Sequence, residues 1–215
     1  MAVSISPLPG SGFRPDKLAA LLARHLPQSP PESGGHDDYH LDSAAPLALG
    51  GVAAAVLLPI VARPEPALLF TRRAQGLARH GGQVAFPGGR VEAADPSPLE
   101  TALRETAEET GIAPAQVVMA GYLSRYRTGT GFDIQPVVGV LPPGLSLTPD
   151  PAEVAAIFEV PLAFFRDSAN RRRESREWNG QRRSFHVFSH GEHEIWGATA
   201  AIIVDLVARI DGMET

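Results

Sequence analysis

Phe86-Pro87-Gly88-Gly89, followed by Leu103-Arg104-Glu105-Thr106-Ala107-Glu108-Glu109-Thr110-Gly111-Ile112, is the stretch on which the reading of this chain turns. The second part predicts a helix from Pro98 to Thr110, with Gly111 as its stop signal. Positions three and four apart share a helix face, so Glu105, Glu108 and Glu109 project together and repel one another. Leu99, Ala102, Leu103 and Ala107 supply an apolar side that can anchor the helix while the carboxylates look into a cleft. Clustered carboxylate oxygens suit a hard divalent cation, which commonly shares its shell with substrate phosphates. Upstream, Gln83-Val84-Ala85-Phe86 reads as a strand, and the glycines after it let the backbone approach a ligand closely. A strand, a Gly-rich loop and an acidic helix together point to metal-assisted chemistry on a phosphate ester or anhydride.

Working outward, Val52 to Leu58 looks like a strand buried on both faces, within a longer strand reaching about Ala62. The uncharged run Ser43 to Ala62 is long enough to span a bilayer. Its Pro46, Gly50, Gly51 and Pro59 argue against a spanning helix, so no membrane segment is expected. A turn at Pro64-Glu65-Pro66 leads to a second strand, Ala67 to Arg72. After the acidic helix, Val117 to Arg127 and Phe132 to Leu141 read as strands joined by Thr128-Gly129-Thr130-Gly131. Ala155 to Val160 is a further strand, preceded by Glu153. A hairpin of Arg173 to Trp178 and Ser184 to Ser189 turns at Asn179-Gly180. A closing helix runs to about Ile210, its apolar face carrying Ile202, Ile203, Leu206 and Val207.

The N-terminal part reads differently. Pro15 to His25 is a short helix whose Leu18, Leu21, Leu22 and Leu26 make one stripe. Pro27 to Leu41 is rich in Pro, Ser, Gly and Asp and reads as a mobile linker. Its His36-Asp37-Asp38-Tyr39-His40 is read as a solvated loop rather than a metal site, because metal sites need preorganised ligands. The division expected is residues 1–42 as helix and flexible arm, and 43–215 as the catalytic domain. A chain beginning near Ser43 is then expected to fold and to turn over substrate.

The central pattern resembles the Nudix box, filled here by Gly89, Arg104, Glu105, Glu108, Glu109, Gly111 and Ile112. The spaced acidic residue is Asp95 rather than Glu, and the loop from it to Arg104 is one residue longer than the general pattern. Leu68 to Ala74 with Arg79 to Gly89 resembles the extra motif of the coenzyme A pyrophosphatase branch. Ala78 stands where that branch usually has a basic residue, and Phe70 where it usually has leucine. The resemblance implies the Nudix fold, an α/β (α+β) architecture with a mixed β-sheet sandwiched between α-helices. It implies hydrolysis of coenzyme A to 3′,5′-ADP and 4′-phosphopantetheine. Glu105, Glu108, Glu109 and Gly89 would contact Mg²⁺ or Mn²⁺, and Arg104 would orient carboxylates. Glu105, Glu108 or Glu153 would take a proton from water. Arg72, Arg73, Arg79, Gly88 and Gly89 would meet the substrate.

Composition bounds the rest. The 215 residues suffice for one well-buried domain, and the net charge of -5 offers no basic face for nucleic acid. Arg171-Arg172-Arg173 with Arg182-Arg183 is a local basic patch, either solvated or meeting a nucleotide phosphate. The chain has no cysteine, which fits a reducing cytoplasm. Met1-Ala2-Val3-Ser4-Ile5-Ser6-Pro7 lacks the features of a signal peptide. The expected partner is a small nucleotide, and a homodimer is compatible with the sequence. Two other readings stay open: a Nudix pyrophosphatase for ADP-ribose or a dinucleotide such as NADH, and a non-catalytic nucleotide sensor.

Overall fold

The computed structural model describes residues 3–4, 14–32, 35–38, 41–42, 50–76, 81–178 and 181–212. In chain order the elements are β1 (Val3–Ser4), α1 (Pro15–Leu22), β2 (His36–Asp37), β3 (Val52–Val61), β4 (Ala67–Arg73), β5 (Val84–Ala85) and β6 (Gly88–Arg90). Then follow α2 (Pro98–Thr110), β7 (Val118–Tyr122), β8 (Tyr126–Arg127), β9 (Phe132–Leu141), β10 (Ser146–Leu147) and β11 (Val154–Pro161). The chain closes with α3 (Leu162–Arg166), β12 (Arg171–Trp178), β13 (Gln181–His190), β14 (His193–Trp196) and α4 (Gly197–Ile210).

A mixed sheet in the order β11-β4-β3-β9-β8-β2 forms the centre. β5, β6 and β7 pair beside it with β4, β3 and β9. β3 and β9 run parallel, in register from Val52↔Phe132 to Val61↔Leu141. Side chains alternate across a strand, so each of these two apolar runs feeds two cores. Ala55 and Leu57 of β3 and Val137 of β9 pack with Ala102 of α2 on one face. Leu58, Ile60, Val138 and Val140 pack with α1, α3 and α4 on the other. The sheet is therefore sandwiched between helices. β12, β13 and β14 form a separate antiparallel sheet.

Pro59 inside a central strand needs an explanation, because proline donates no ladder bond. Leu57 donates its N–H to Pro87 O at 2.9 Å, so odd-numbered residues of β3 face β6. Beyond Leu57 the pairing partner changes: β6 pairs with Ala54 to Val56, and β4 only with Ile60 and Val61. Pro59 thus falls in the gap between two partners, where no donor is required. Of the uncharged run Ser43 to Ala62, residues 52–61 are this strand, and 43–49 lie outside the described residues. No helix among the described residues is long and apolar enough to cross a membrane.

Two expectations change. The long strand Val117 to Arg127 is two strands, because its register shifts at Met119/Gly121 and Ser124 N–H turns to Asp205 Oδ2 at 2.9 Å. The loose arm upstream of residue 43 is, where described, docked on the core. Ala19, Leu22 and Leu26 are buried in the same cluster as Leu58 and Val138, while Leu21, expected in the stripe, is exposed. Gln28 Nε2 donates to Ala120 O at 3.0 Å, and Tyr122 N–H to Pro27 O at 2.8 Å. His36–Asp37 pairs in parallel with β8. Asp38 is buried, accepting from Tyr126 Oη at 2.9 Å and from Gly129 N–H, with Arg183 as its ion-pair partner. Polar composition hid this because each buried polar group finds its own partner. Tyr39, His40 and the Asn179-Gly180 turn lie outside the described residues.

A chain beginning at Ser43 is accordingly expected to be much less stable. Leu22 and Leu26 alone contribute roughly 2–3 kcal/mol each by burial, against a total domain stability of about 5–15 kcal/mol. Thermal unfolding should show Tm lowered by more than about 10 °C, or no cooperative transition. An unchanged Tm would show that the arm adds nothing to the fold.

Candidate active site

Gly88–Arg90 pairs with β3, setting Gly89 against Ala55 and Gly88 against Val56. A Cβ at Gly88 would lie 2.6 Å from Val56 Cα, and its φ of 152° lies where other residues rarely go. At Gly89 a Cβ would collide with the carboxylate of Glu105. The loop thus presents bare backbone to α2.

The helix begins with Pro98 and ends at Gly111, in the left-handed region at φ 76°. Its buried face is not the apolar one expected. Leu99 and Ala102 pack on the sheet, but Leu103 and Ala107 are only half-buried. Thr101, Thr106, Glu109 and Thr110 are buried instead. Thr106 and Thr110 donate their hydroxyls to the carbonyls four residues back, each at 2.6 Å, which removes most of the cost of burying them.

Glu109 is the exceptional group, 4% exposed. It accepts from Gly88 N–H at 3.3 Å and faces Arg73 Nη1 at 3.7 Å. Burial pushes its carboxyl up to about 8, against the pull of Arg73 and the Gly88 amide. Glu105 also titrates high, again chiefly through burial, with Arg104 opposing and the charges of Glu108 and Glu153 adding to the rise. Glu108 is exposed and bonded to Arg104 at 3.2 Å.

Arg104 holds the outer side of the cluster. It grips Asp95 through Nε–Oδ1 at 3.1 Å and Nη2–Oδ2 at 2.9 Å, and donates to Glu105 at 3.0 Å and to Arg90 O at 3.1 Å. Asp95 further accepts from Thr101 Oγ1 and Glu92 N–H, both at 2.9 Å. The Arg104 guanidinium, foremost among these partners, holds the Asp95 carboxyl well below the usual carboxylate range. The longer loop and the shorter Asp side chain therefore still deliver a two-pronged pair. Glu100, four residues before Arg104, takes the Ser97 hydroxyl.

A second segment closes the site from the side. Thr148 N–H donates to Thr110 O at 2.8 Å and Asp150 N–H to Glu109 O at 3.1 Å, clamping the β10–β11 connection onto the end of α2. Glu153 follows, its carbonyl accepting from Ala74 N–H at 2.7 Å. Its charge acts on both Glu105 and Glu109.

Residues 51–182 match the NUDIX domain family. The chain belongs to the Nudix family. It is 45% identical over 157 residues to the uncharacterised Nudix hydrolase NudL of Photorhabdus laumondii, covering 73% of this chain and 84% of that protein. The Escherichia coli K12 NudL, also uncharacterised, is 41% identical over 157 residues, covering 73% and 82%. Among solved structures, a Nudix hydrolase from Alicyclobacillus acidocaldarius is 21% identical with a TM-score of 0.49, covering 75% of this chain and 93% of that one.

Nudix hydrolases use divalent metal ions. The donors on the Nudix helix fit such an ion by chemistry: hard carboxylate oxygens, mutually repelling, against a glycine whose Cβ would displace one of them. Among the described residues no group of three or more acidic or histidine side chains is yet gathered as a metal shell. Arg104 engages Glu105 and Glu108, and Arg73 engages Glu109.

The arginines expected at the substrate do not form one set. Arg72 and Arg73 are neighbours on β4, so their side chains leave opposite faces of the sheet. Arg73 lies beside Glu109 as its counter-charge; Arg72 lines a cavity with His193 and Trp196 on the other face. Arg79, Ala78 and His80 lie outside the described residues. The Arg73–Glu109 pair was missed because sequence spacing carries no sign of a partner on a strand 36 positions upstream. The basic hairpin is largely engaged: Arg173 reaches Asp42 at 3.4 Å, and Arg176 lies over Phe185 and Trp196.

Proposed function

We propose that this Nudix protein is a metal-dependent pyrophosphohydrolase cleaving coenzyme A and its derivatives to 3′,5′-ADP and 4′-phosphopantetheine. The observation that carries the hydrolase part is the packing of Glu105 against Gly89 and of Glu109 against the Gly88 N–H, with the charges of Glu108 and Glu153 reaching Glu105. The coenzyme A part is supported by Leu68 to Ala74 and Gly81 to Gly89, which fold as β4, β5 and β6 beside those carboxylates.

Glu105, Glu108 and Glu109 would hold Mg²⁺ or Mn²⁺. Neutralising the diphosphate and lowering the pKa of a water is the chemistry such an ion supplies there. The chain's own residues do the rest. Arg104, fixed by Asp95, orients Glu105 and Glu108. Glu105 or Glu153 takes the proton as water adds to one phosphorus and the bridging oxygen leaves with the other. Gly88 and Gly89 let the diphosphate approach the backbone, and Arg73 offers a cation at the same edge.

Coenzyme A, ADP-ribose and NADH should be assayed side by side in Mg²⁺ and in Mn²⁺. Coenzyme A is expected to show the highest kcat/KM. A preference for ADP-ribose or NADH would place the protein on another Nudix branch. Turnover of none of them would favour a nucleotide-binding module.

A further inference from the structure

The connection between β10 and β11 meets the end of α2 through one residue, Asp150. Its N–H donates to Glu109 O at 3.1 Å, reaching one of the carbonyls that a helix end leaves unpaired. Its side-chain Oδ1 accepts from Ala152 N–H at 2.9 Å, closing a turn in the way aspartates commonly do. Its carbonyl accepts from Glu153 N–H at 3.1 Å and from Val154 N–H at 2.7 Å. Pro149 and Pro151 flank it, so the chain on either side has few conformations open to it. Just upstream, Thr148 rests on the helix stop, where a Cβ at Gly111 would lie 3.1 Å from Thr148 Cβ.

Glu153 owes its place to this turn. The residue is exposed, and among the described residues no hydrogen bond or ion pair holds its carboxylate. Its backbone is fixed instead, between Asp150 O on one side and Ala74 N–H, at 2.7 Å, on the other. The next residue, Val154, pairs with Arg73, whose Nη1 faces Glu109 at 3.7 Å. The charge of Glu153 reaches both Glu105 and Glu109. Glu105 is committed to Arg104 at 3.0 Å, whereas the Glu153 carboxylate is open to water. Asp150 thus bridges the backbone of a buried acidic residue of the Nudix helix and that of an uncommitted carboxylate.

We propose that Asp150 is a positioning residue for the hydrolysis: its turn holds the Glu153 carboxylate beside Glu105 and Glu109, where it takes the proton of the attacking water. The inference rests on the hydrolase reading and deepens it by naming Glu153 as that acceptor. The proton passes to a Glu153 oxygen as the water oxygen bonds to phosphorus, and the bridging oxygen leaves with its electron pair.

The test measures kcat and KM in Mg²⁺ on whichever of coenzyme A, ADP-ribose and NADH wild type hydrolyses fastest. Asp150→Ala is expected to lower kcat about 10–100-fold and to move KM by less than about threefold, as displacement of a reacting group by about 1 Å would. Asp150→Asn keeps the accepting oxygen and should stay within about twofold of wild type, with Asp150→Ser, a weaker turn closer, between the two. Glu153→Gln should lower kcat about 100-fold or more. With Glu153→Gln already present, Asp150→Ala should cost less than about twofold, because both changes act through one group. The metal-free Tm of Asp150→Ala should fall by only about 2–4 °C, the scale of one hydrogen bond; if that variant does not fold, Asp150→Ser takes its place in the comparison. An equal loss of kcat in both backgrounds would make Asp150 merely structural and overturn the inference. Full activity of Asp150→Ala, or a loss in Asp150→Asn as large as in Asp150→Ala, would overturn it as well. Near wild-type kcat in Glu153→Gln would give the proton to another group and overturn the inference, with the hydrolase reading intact. Turnover of none of the three compounds by wild type would overturn both.

Discussion

Glu109→Gln is expected to lower kcat by roughly 10²–10³-fold or more, the scale on which one charge-stabilising group at a reacting centre matters. The same change is expected to stabilise the metal-free protein at alkaline pH. Glu109 is not the exposed charge that its place on the helix suggests; it is 4% exposed and titrates at about 8, against an ordinary 4.5. The sign follows from linkage. A folded carboxyl raised above its unfolded value favours folding fully below pH 4.5, and that contribution is lost as pH rises through about 8. Metal-free wild type should therefore lose roughly 2–4 kcal/mol of stability between these limits, and the variant should not. At pH 8.5 the variant should melt several degrees higher. Mn²⁺ should raise Tm in wild type and much less in the variant, because an ion stabilises only the state that binds it. Near wild-type turnover in Mg²⁺ would remove Glu109 from the metal site. Parallel pH–stability curves would show that its burial carries no electrostatic cost.

Gly89→Ala should act on chemistry rather than on folding. The added methyl occupies the place of the Glu105 carboxylate, the free end of a side chain, which can swing aside at little cost to the fold. Once displaced, Glu105 leaves both the Arg104 contact at 3.0 Å and its place against the loop. A misplacement of about 1 Å in a reacting group costs on the order of 100-fold in rate, so kcat should drop by about that factor with Tm nearly unchanged. A fall in Tm that matches the loss of activity would mean that the loop needs glycine for folding instead. Full activity would mean that Glu105 works equally well from another position.

Much of the molecule is legible in the sequence because the signals are local. The helix over Pro98 to Thr110 has a proline start, a glycine stop and no internal breaker, and the structure has the same limits. Phe132 to Leu141 and the two strands around Pro64-Glu65-Pro66 are set by mainly apolar runs between turn residues. The acidic trio and the glycine loop are readable for the same reason: each lies within a few residues of its partners.

What the sequence by itself determined is the spacing of Gly89, Arg104, Glu105, Glu108 and Glu109, the residues proposed to carry the chemistry. Only the tertiary structure decided how each is held. Whether Glu109 is solvated or buried depends on Gly88 and Arg73, which reach it across a strand pairing. Whether Arg72 and Arg73 act together depends on sheet alternation, which sends adjacent side chains to opposite faces. Whether the described residues of 14–38 are a loose arm depends on the bonds that Gln28 and Asp38 make to distant segments and on two leucines meeting the far face of the sheet. Burial and pairing between distant segments are properties of the packed chain, and local composition does not contain them.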